Sequence, residues 1–328
     1  MRHEEALQAF VDRKEQLDEL CLSLVDVVQD IVHQLGVSEV RVEHRTKKPG
    51  SFMAKVVDKG QEYQPDPLEA MKDKVGIRVE FLHLADVRRL VALFEEGVEG
   101  IEEAKIEAIV PVHGVDGLGY NGVHIDMRPS HLPDGLEPEY AVAELQVRSM
   151  GQGLWATASH DIDYKPLFEL ETDQKRRIRR LSVLTELFDE EVADVTNEIL
   201  TDDRYPHARL LEALRYARAT LGRPSTAHPQ LTNRVVLDLL GSAFDPVVIA
   251  REIGPWVEDN SDTLRDTIQR YEGTSRQFYA DRPEGLLAFY LLDRHAFDLA
   301  AALDTAGSDR TVVEALAEAW GCELPTYG

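Results

Sequence analysis

Two cysteines in 328 residues, Cys21 and Cys322, lie near opposite ends of the chain. That scarcity excludes a disulfide framework and any cysteine-based zinc or redox motif, and a reducing cytoplasm is the expected compartment. No run of eighteen or more apolar residues is present, so no membrane span and no membrane partner are expected. The first residues, MRHEEALQAFVDRKEQL, are charged and lack the apolar stretch of a signal peptide. Cations are in the minority: 36 Lys and Arg face 60 Asp and Glu, for a net charge of −24. Such a balance disfavours loose adhesion to nucleic acid or anionic lipid and leaves room only for a local basic cleft. Lysine disappears altogether after Lys175, beyond which every Lys or Arg position is arginine. That shift, in a chain long enough for two domains of about 150 residues, suggests two units.

The hydrophobic pattern divides the chain in the same way. Leu7, Phe10, Leu17, Leu20, Leu24, Val27, Val28 and Ile31 recur at helical spacing and predict a helix over 4–35, stopped by Gly36. VSEVRVEHR, VGIRVEFL, EAKIEAIVPV, GVHIDMR and YAVAELQVR read as strands. LADVRRLVALFEEG and PGSFMAKVVDKG read as helices, the latter with Ser51 as N-cap and Gly60 as terminator. From residue 172 the pattern is helical to the end, beginning with one long helix over KRRIRRLSVLTELFDEEVADVTNEIL. The expected organisation is an N-terminal helix over 1–37, an α+β domain over 38–171 and an all-α region over 172–328. The basic cluster Lys175 to Arg180 is expected to be a solvated helix face, with nucleic-acid contact as the second reading.

Several short stretches carry groups that could do chemistry. In AELQVRSM, strand alternation puts Glu144, Gln146 and Arg148 on one face and Leu145 and Val147 on the other. In DKVGIRVEF, Asp73 stands at the entrance of a strand, and Arg78 shares a polar face with Glu80. EHRTKKPGSFMAK gathers Arg45, Lys47, Lys48 and Lys55 around a helix start, a natural place for phosphate. GLGYNGVHIDM surrounds Tyr120 with glycines and then places His124 on the polar side of a strand. Cations for phosphates, two carboxylates for magnesium and proton transfer, and planar groups for bases make a plausible nucleotide site.

Four blocks, HRTKKPGSFMAK, DKVGIR, GYNGVH and ELQVRSMGQGLWATASHDIDYK, follow one another in an order and spacing that resemble the synthetase domain of the RelA/SpoT family, the alarmone synthetases. The resemblance spans residues 38 to 166 and implies a nucleotidyltransferase-like mixed sheet flanked by helices. It also implies a magnesium-dependent transfer of the β,γ-diphosphate of ATP to the 3′-hydroxyl of GTP, GDP or GMP. By matching position, Arg45 and Arg78 resemble the arginines around adenine, and Lys47, Ser51 and Lys55 fall where the ATP phosphates are held. Asp73 matches the magnesium-binding aspartate. Glu144 matches the glutamate that activates the acceptor hydroxyl and helps with metal. Tyr120 matches the tyrosine that stacks on the acceptor base, and His124 an acceptor-side histidine, with Gln146 and Arg148 in supporting roles. Trp155, His160, Tyr164 and Lys165 match the closing block, Trp155 as packing.

Asn121, Gly122, Asp116, Gly153 and Ser159 depart from the residues common in the family, and most of these departures fall on the acceptor side. A toxin-type relative acting on the tRNA 3′ end or an adenine nucleotide, with an antitoxin partner, is therefore the alternative. A nucleotide-binding regulator without turnover is a third. Too few residues precede the first block for the family's HD hydrolase, so synthesis without hydrolysis is expected. The helical region could pack on the catalytic domain, build a homo-oligomer or receive a partner.

Overall fold

The computed structural model describes residues 3–37, 40–60, 65–109, 122–162, 171–221, 244–274, 280, 282–306 and 310–325. The chain forms two compact units, Met1–Ile31 with Ser38–Asp194 and Val32–Val37 with Val195–Gly328.

The first unit is built on five strands: β1 (Val40–Thr46), β2 (Val75–Phe81), β3 (Ile101–Ile109), β4 (Gly122–Pro129) and β5 (Ala143–Ser149). Their order in the sheet is β1-β2-β5-β4-β3. β2 and β5 run parallel, and the other neighbours are antiparallel, so the sheet is mixed as expected. The central pair shares one burial pattern. Ile77, Val79, Leu145 and Val147 point into the core, while Gly76, Arg78, Glu144 and Gln146 are only partly covered on the other face. Alternation in two registered strands thus builds a single polar strip along the middle of the sheet.

Helices α1 (His3–Asp12), α2 (Lys14–Gln34), α3 (Pro49–Lys59), α4 (Pro67–Ala70), α5 (Leu84–Glu96) and α6 (Met150–Ile162) surround the sheet. The expected single helix over 4–35 is instead two. It breaks at Arg13, whose guanidinium turns away to Glu137 and to the Ala9 carbonyl. The Arg13 amide bonds the Phe10 carbonyl at 3.3 Å, while the Ala9 carbonyl one turn back accepts from the guanidinium. Phe10 of α1 stacks on Phe52 of α3 with ring centroids 4.4 Å apart, both fully buried, which seats α3 beside the polar strip. α7 (Thr172–Thr201) is the long helix expected from the sequence. Its buried side presents Asp189 to Ser149, whose hydroxyl donates a 2.6 Å hydrogen bond.

The second unit is helical: α8 (Pro206–Ala219), α9 (Pro246–Asp259), α10 (Ser261–Arg270), α11 (Pro283–Arg294), α12 (Ala296–Ala306) and α13 (Arg310–Trp320). Every residue from Pro283 to Leu292 is buried, so α11 is the central element, apolar but for Glu284 over that stretch. Trp256 packs against its Tyr290 and Trp320 against its Phe289, and the two indoles meet each other. Expected helical residues 235–243 lie outside the described residues. Among the described residues no helix is long and apolar enough to cross a membrane.

Candidate functional site

The polar strip ends in an open cleft of about 100 Å³ lined by Glu43, His44, Arg45, Asp73, Gly76, Ile77, Arg78, Glu144 and Gln146. Sheet register explains this gathering of residues that are far apart in sequence. Gly76 lies between Arg45 on β1 and Glu144 on β5, and Arg78 lies between Glu43 and Gln146. A glycine at the centre leaves the floor open between a cation and a carboxylate.

Asp73 closes one end of the cleft. It sits in a single 3-10 turn, Lys72–Lys74, that delivers the chain into β2. The Lys47 amide donates to the Lys74 carbonyl at 2.8 Å, which prolongs the pairing of β1 with β2 and brings Lys47 alongside. Lys47 Nζ and Lys55 Nζ then converge on the same oxygen, Asp73 Oδ2, at 2.7 and 2.8 Å. Burial on its own would lift the Asp73 carboxyl, but the two ammonium groups more than offset it and hold the group below the usual carboxylate range. The other oxygen, Oδ1, is buried and has no hydrogen-bond partner among the described residues.

Glu144 stands across the floor. His124 Nδ1 approaches Oε1 at 3.2 Å, and Gln146 Nε2 donates to Oε2 at 2.6 Å. Burial again pushes upward, while hydrogen bonding and charge from His124 and the Gln146 bond pull harder, so Glu144 also lies below its ordinary value. Asp73 is close enough to raise it slightly, which places the two carboxylates in one electrostatic field.

Arg78 reaches Glu43 only at 3.4 Å, and its Nε is buried with no hydrogen-bond partner among the described residues. Arg45 is exposed at the same cleft. Thus the structure brings together Arg45, Asp73, Arg78, Glu144 and Gln146, with Lys47 and Lys55 joined through Asp73 and His124 through Glu144.

Other expected residues stand apart. Ser51 is not the N-cap of α3: Lys48 occupies that position with no side-chain cap, because Pro49, whose missing N–H suits the first helical position, starts the helix three residues earlier. Ser51 is exposed in the first turn and does not line the cleft. Gly60 ends the helix as expected, with φ of 41°. Arg148 is only 3% exposed and is spent on Glu80, whose Oε1 accepts from Nε at 2.9 Å and Nη2 at 2.7 Å. Gly153 lies directly above this pair. Trp155 is partly buried, its indole N–H without a hydrogen-bond partner among the described residues, and His160 is exposed. Tyr120, Tyr164 and Lys165 lie outside the described residues.

Three residues were not singled out from sequence. Glu43 shares a strand face with Arg45, and that alternation could have revealed it. Asp126 pairs directly across from Glu144 in the β4–β5 register. Burial first, then Glu144, lifts its carboxyl above the usual range against the pull of Lys72. Lys74 is fully buried and donates to the Met71 carbonyl at 3.1 Å. No local signal separates it from its solvated neighbour Lys72.

A cleft that pairs clustered lysines and arginines with two nearby carboxylates is the equipment of a phosphate-handling nucleotide site. Residues 44–167, which contain all of it except Glu43, match the model of a family described as "Region found in RelA / SpoT proteins". The chain is similar to the GTP pyrophosphokinase YwaC of Bacillus subtilis (strain 168), 23% identical over 179 residues that make up 54% of this chain and 82% of that one. Among solved structures, a GTP pyrophosphokinase family protein from Streptococcus pneumoniae is 20% identical with a TM-score of 0.47, over 61% of this chain and 95% of that one. The small alarmone synthetase 1 of Bacillus subtilis bound to its product pppGpp is 19% identical with a TM-score of 0.44, over 58% and 96%.

Proposed function

We propose that the cleft binds ATP and transfers its β,γ-diphosphate to the 3′-hydroxyl of a guanine nucleotide, GTP, GDP or GMP. The observation that carries this reading is the Asp73 carboxylate, gripped through Oδ2 by Lys47 and Lys55 while Oδ1, in the cleft that Glu144 also lines, is buried without a partner among the described residues. An oxygen desolvated without a partner costs stability unless a ligand completes it. It is explained if a cation bridging substrate phosphates is that partner. Among the described residues no group of three or more His, Cys, Asp or Glu side chains forms a protein-only metal cage. Magnesium fits such a site, because it is commonly held by one or two carboxylates plus phosphate oxygens. Asp73 and Glu144 would hold it, and it would neutralise phosphate charge when bound.

The roles of the protein groups rest on the family resemblance, supported by the gathering of Arg45, Asp73, Arg78, Glu144 and Gln146 in one cleft. Arg45 and Arg78 flank the open floor over Gly76 and stack on the adenine of ATP. Lys47 and Lys55 hold phosphate oxygens, with Ser51 exposed nearby in the first turn of α3. Glu144, ionised at neutral pH, accepts the proton of the 3′-hydroxyl as that oxygen bonds to the β-phosphorus. The bond from the β-phosphorus to the bridging oxygen of AMP breaks, and AMP leaves with that oxygen. His124 and Gln146 orient Glu144, and Arg148 supports the wall by fixing Glu80. Tyr120 stacks on the acceptor base.

A second reading, with the tRNA 3′ end or an adenine nucleotide as acceptor, draws on Asp126 and Glu107. They stand opposite Glu144 and His124 respectively and make that side of the sheet acidic, unfavourable to a 5′-polyphosphate and less so to the tRNA 3′ end or an adenine nucleotide that lacks one. The test is transfer of label from γ-labelled ATP to GTP, GDP, GMP, ATP or tRNA, in parallel with Glu144→Gln and Asp73→Asn. Label on a guanine nucleotide that is lost in both variants supports the main reading. Label only on tRNA or an adenine nucleotide supports the second, and no transfer to any acceptor refutes both.

A further inference from the structure

The polar face of the sheet continues beyond the cleft. Glu144 lines the cleft on its β5 side, and one strand further Asp126 of β4 stands directly across from it. Ile125 and Met127 point into the core, so Asp126 shares the partly covered face with His124 and Glu144. Residues paired in this way carry their Cβ atoms roughly 4.5–5.5 Å apart, and like charges so placed repel. Lys72 and Lys105 offset the repulsion in part, while Glu107 adds to it.

The two carboxylates differ in how they are held. Glu144 is fixed through both oxygens, by His124 and by Gln146. Asp126 takes part in no hydrogen bond or ion pair among the described residues, although Lys105 is its partner across the β3–β4 ladder. A carboxylate oxygen accepts more than one hydrogen bond, so the bonds that fix Glu144 do not prevent it from receiving a hydroxyl. One fixed acceptor and one without donors, side by side on neighbouring strands, are complementary to two hydroxyls on adjacent carbons, each donating to its own carboxylate.

We infer that Asp126 reads the acceptor ribose: its carboxylate accepts the 2′-hydroxyl while Glu144 accepts the 3′-hydroxyl, which makes the intact vicinal diol a requirement for efficient transfer. This role presupposes the diphosphate transfer proposed above but not the identity of the base, since a guanine ribonucleotide and the terminal adenosine of tRNA present the same diol. Held at two points, the ribose cannot turn its 3′-oxygen away from the reacting phosphorus. A 2′-deoxy acceptor leaves Asp126 against Glu144 with no donor between them, and a 2′-O-methyl acceptor brings an oxygen that cannot donate.

The test is transfer of label from γ-labelled ATP to GTP, 2′-deoxy-GTP and 2′-O-methyl-GTP, or to tRNA ending in adenosine or 2′-deoxyadenosine if tRNA is the acceptor. In the parent protein, kcat/KM for the modified acceptors should fall roughly ten- to a hundredfold below that for the ribonucleotide. Asp126→Ala should bring the ribonucleotide down to the level of its 2′-deoxy form, and Asp126→Asn, which keeps an oxygen acceptor, should retain part of the preference. A general loss of structure would lower both acceptors alike and leave their ratio unchanged. A parent protein that uses 2′-deoxy-GTP as well as GTP overturns the role of Asp126 and leaves diphosphate transfer standing. A preference that survives undiminished in Asp126→Ala does the same. Transfer to no acceptor of either kind overturns both.

Discussion

Gly153 is a helix residue whose replacement by alanine should destabilise, against the usual rule. In the interior of a helix such as α6, Gly→Ala ordinarily gains about 0.5–1 kcal/mol. Here the new Cβ would lie 2.3 Å from Glu80 Oε1, 2.8 Å from its Cδ and 3.3 Å from Arg148 Nε. The carboxylate must retreat by about 1 Å to reach ordinary contact. It is not free to do so, because the same Oε1 accepts both Arg148 bonds, at 2.9 and 2.7 Å. Arg148 is 3% exposed, so water cannot replace what is lost. Breaking a buried pair outright costs about 3–5 kcal/mol. Stretching both bonds should cost about half to two thirds of that, leaving a net loss of about 1–3 kcal/mol after the helix gain. A loss of 2 kcal/mol lowers the melting temperature of a unit this size by roughly 4–8 °C. Calorimetry of Gly153→Ala reads the change. In a Glu80→Ala background, where the obstructing carboxylate is gone, the same glycine change should stabilise by its ordinary amount. A Gly153→Ala protein as stable as the parent would refute the argument, since it would mean that the Glu80–Arg148 pair yields freely.

Two pH effects follow from buried charge. Burial, with Lys72 and Arg128 near it, brings the Lys74 ammonium down to about 7. Between that value and about 10.4, the unfolded chain holds a proton the folded chain does not, so stability rises with pH by up to about 1.4 kcal/mol per unit. Lys74→Met removes this slope and should stabilise more at pH 6 than at pH 9; equal shifts in urea midpoint at the two pH values would sink the prediction. Asp73 and Glu144 behave in the opposite sense, since both lie below their ordinary range. Their contribution to stability is complete above about pH 4 and is lost as pH falls through the lower folded values. The gap in melting temperature between the parent and Asp73→Asn should therefore close below about pH 4, and a gap that persists undiminished into acid would contradict it.

Periodicity along the chain was enough to place the five strands of the α+β unit and the long helix from residue 172. It also put Glu144 with Gln146 on one strand face and Arg78 with Glu80 on another, because strand alternation is a property of the backbone alone. Which strands would lie side by side was not a local matter. Only the order β1-β2-β5-β4-β3 sets Gly76 between Arg45 and Glu144 and makes one cleft of three separate stretches. Alternation put Arg148 on the polar face, and the tertiary structure decided that it serves Glu80 rather than the cleft, since α6 folds over that end of β5 and covers it. The first helix also breaks at Arg13, whose side chain pairs with Glu137, 124 residues away, a contact no local pattern shows. Residue types and their faces are encoded within a few residues. Whether a charge meets water, a ligand or a buried partner depends on what distant segments bring beside it.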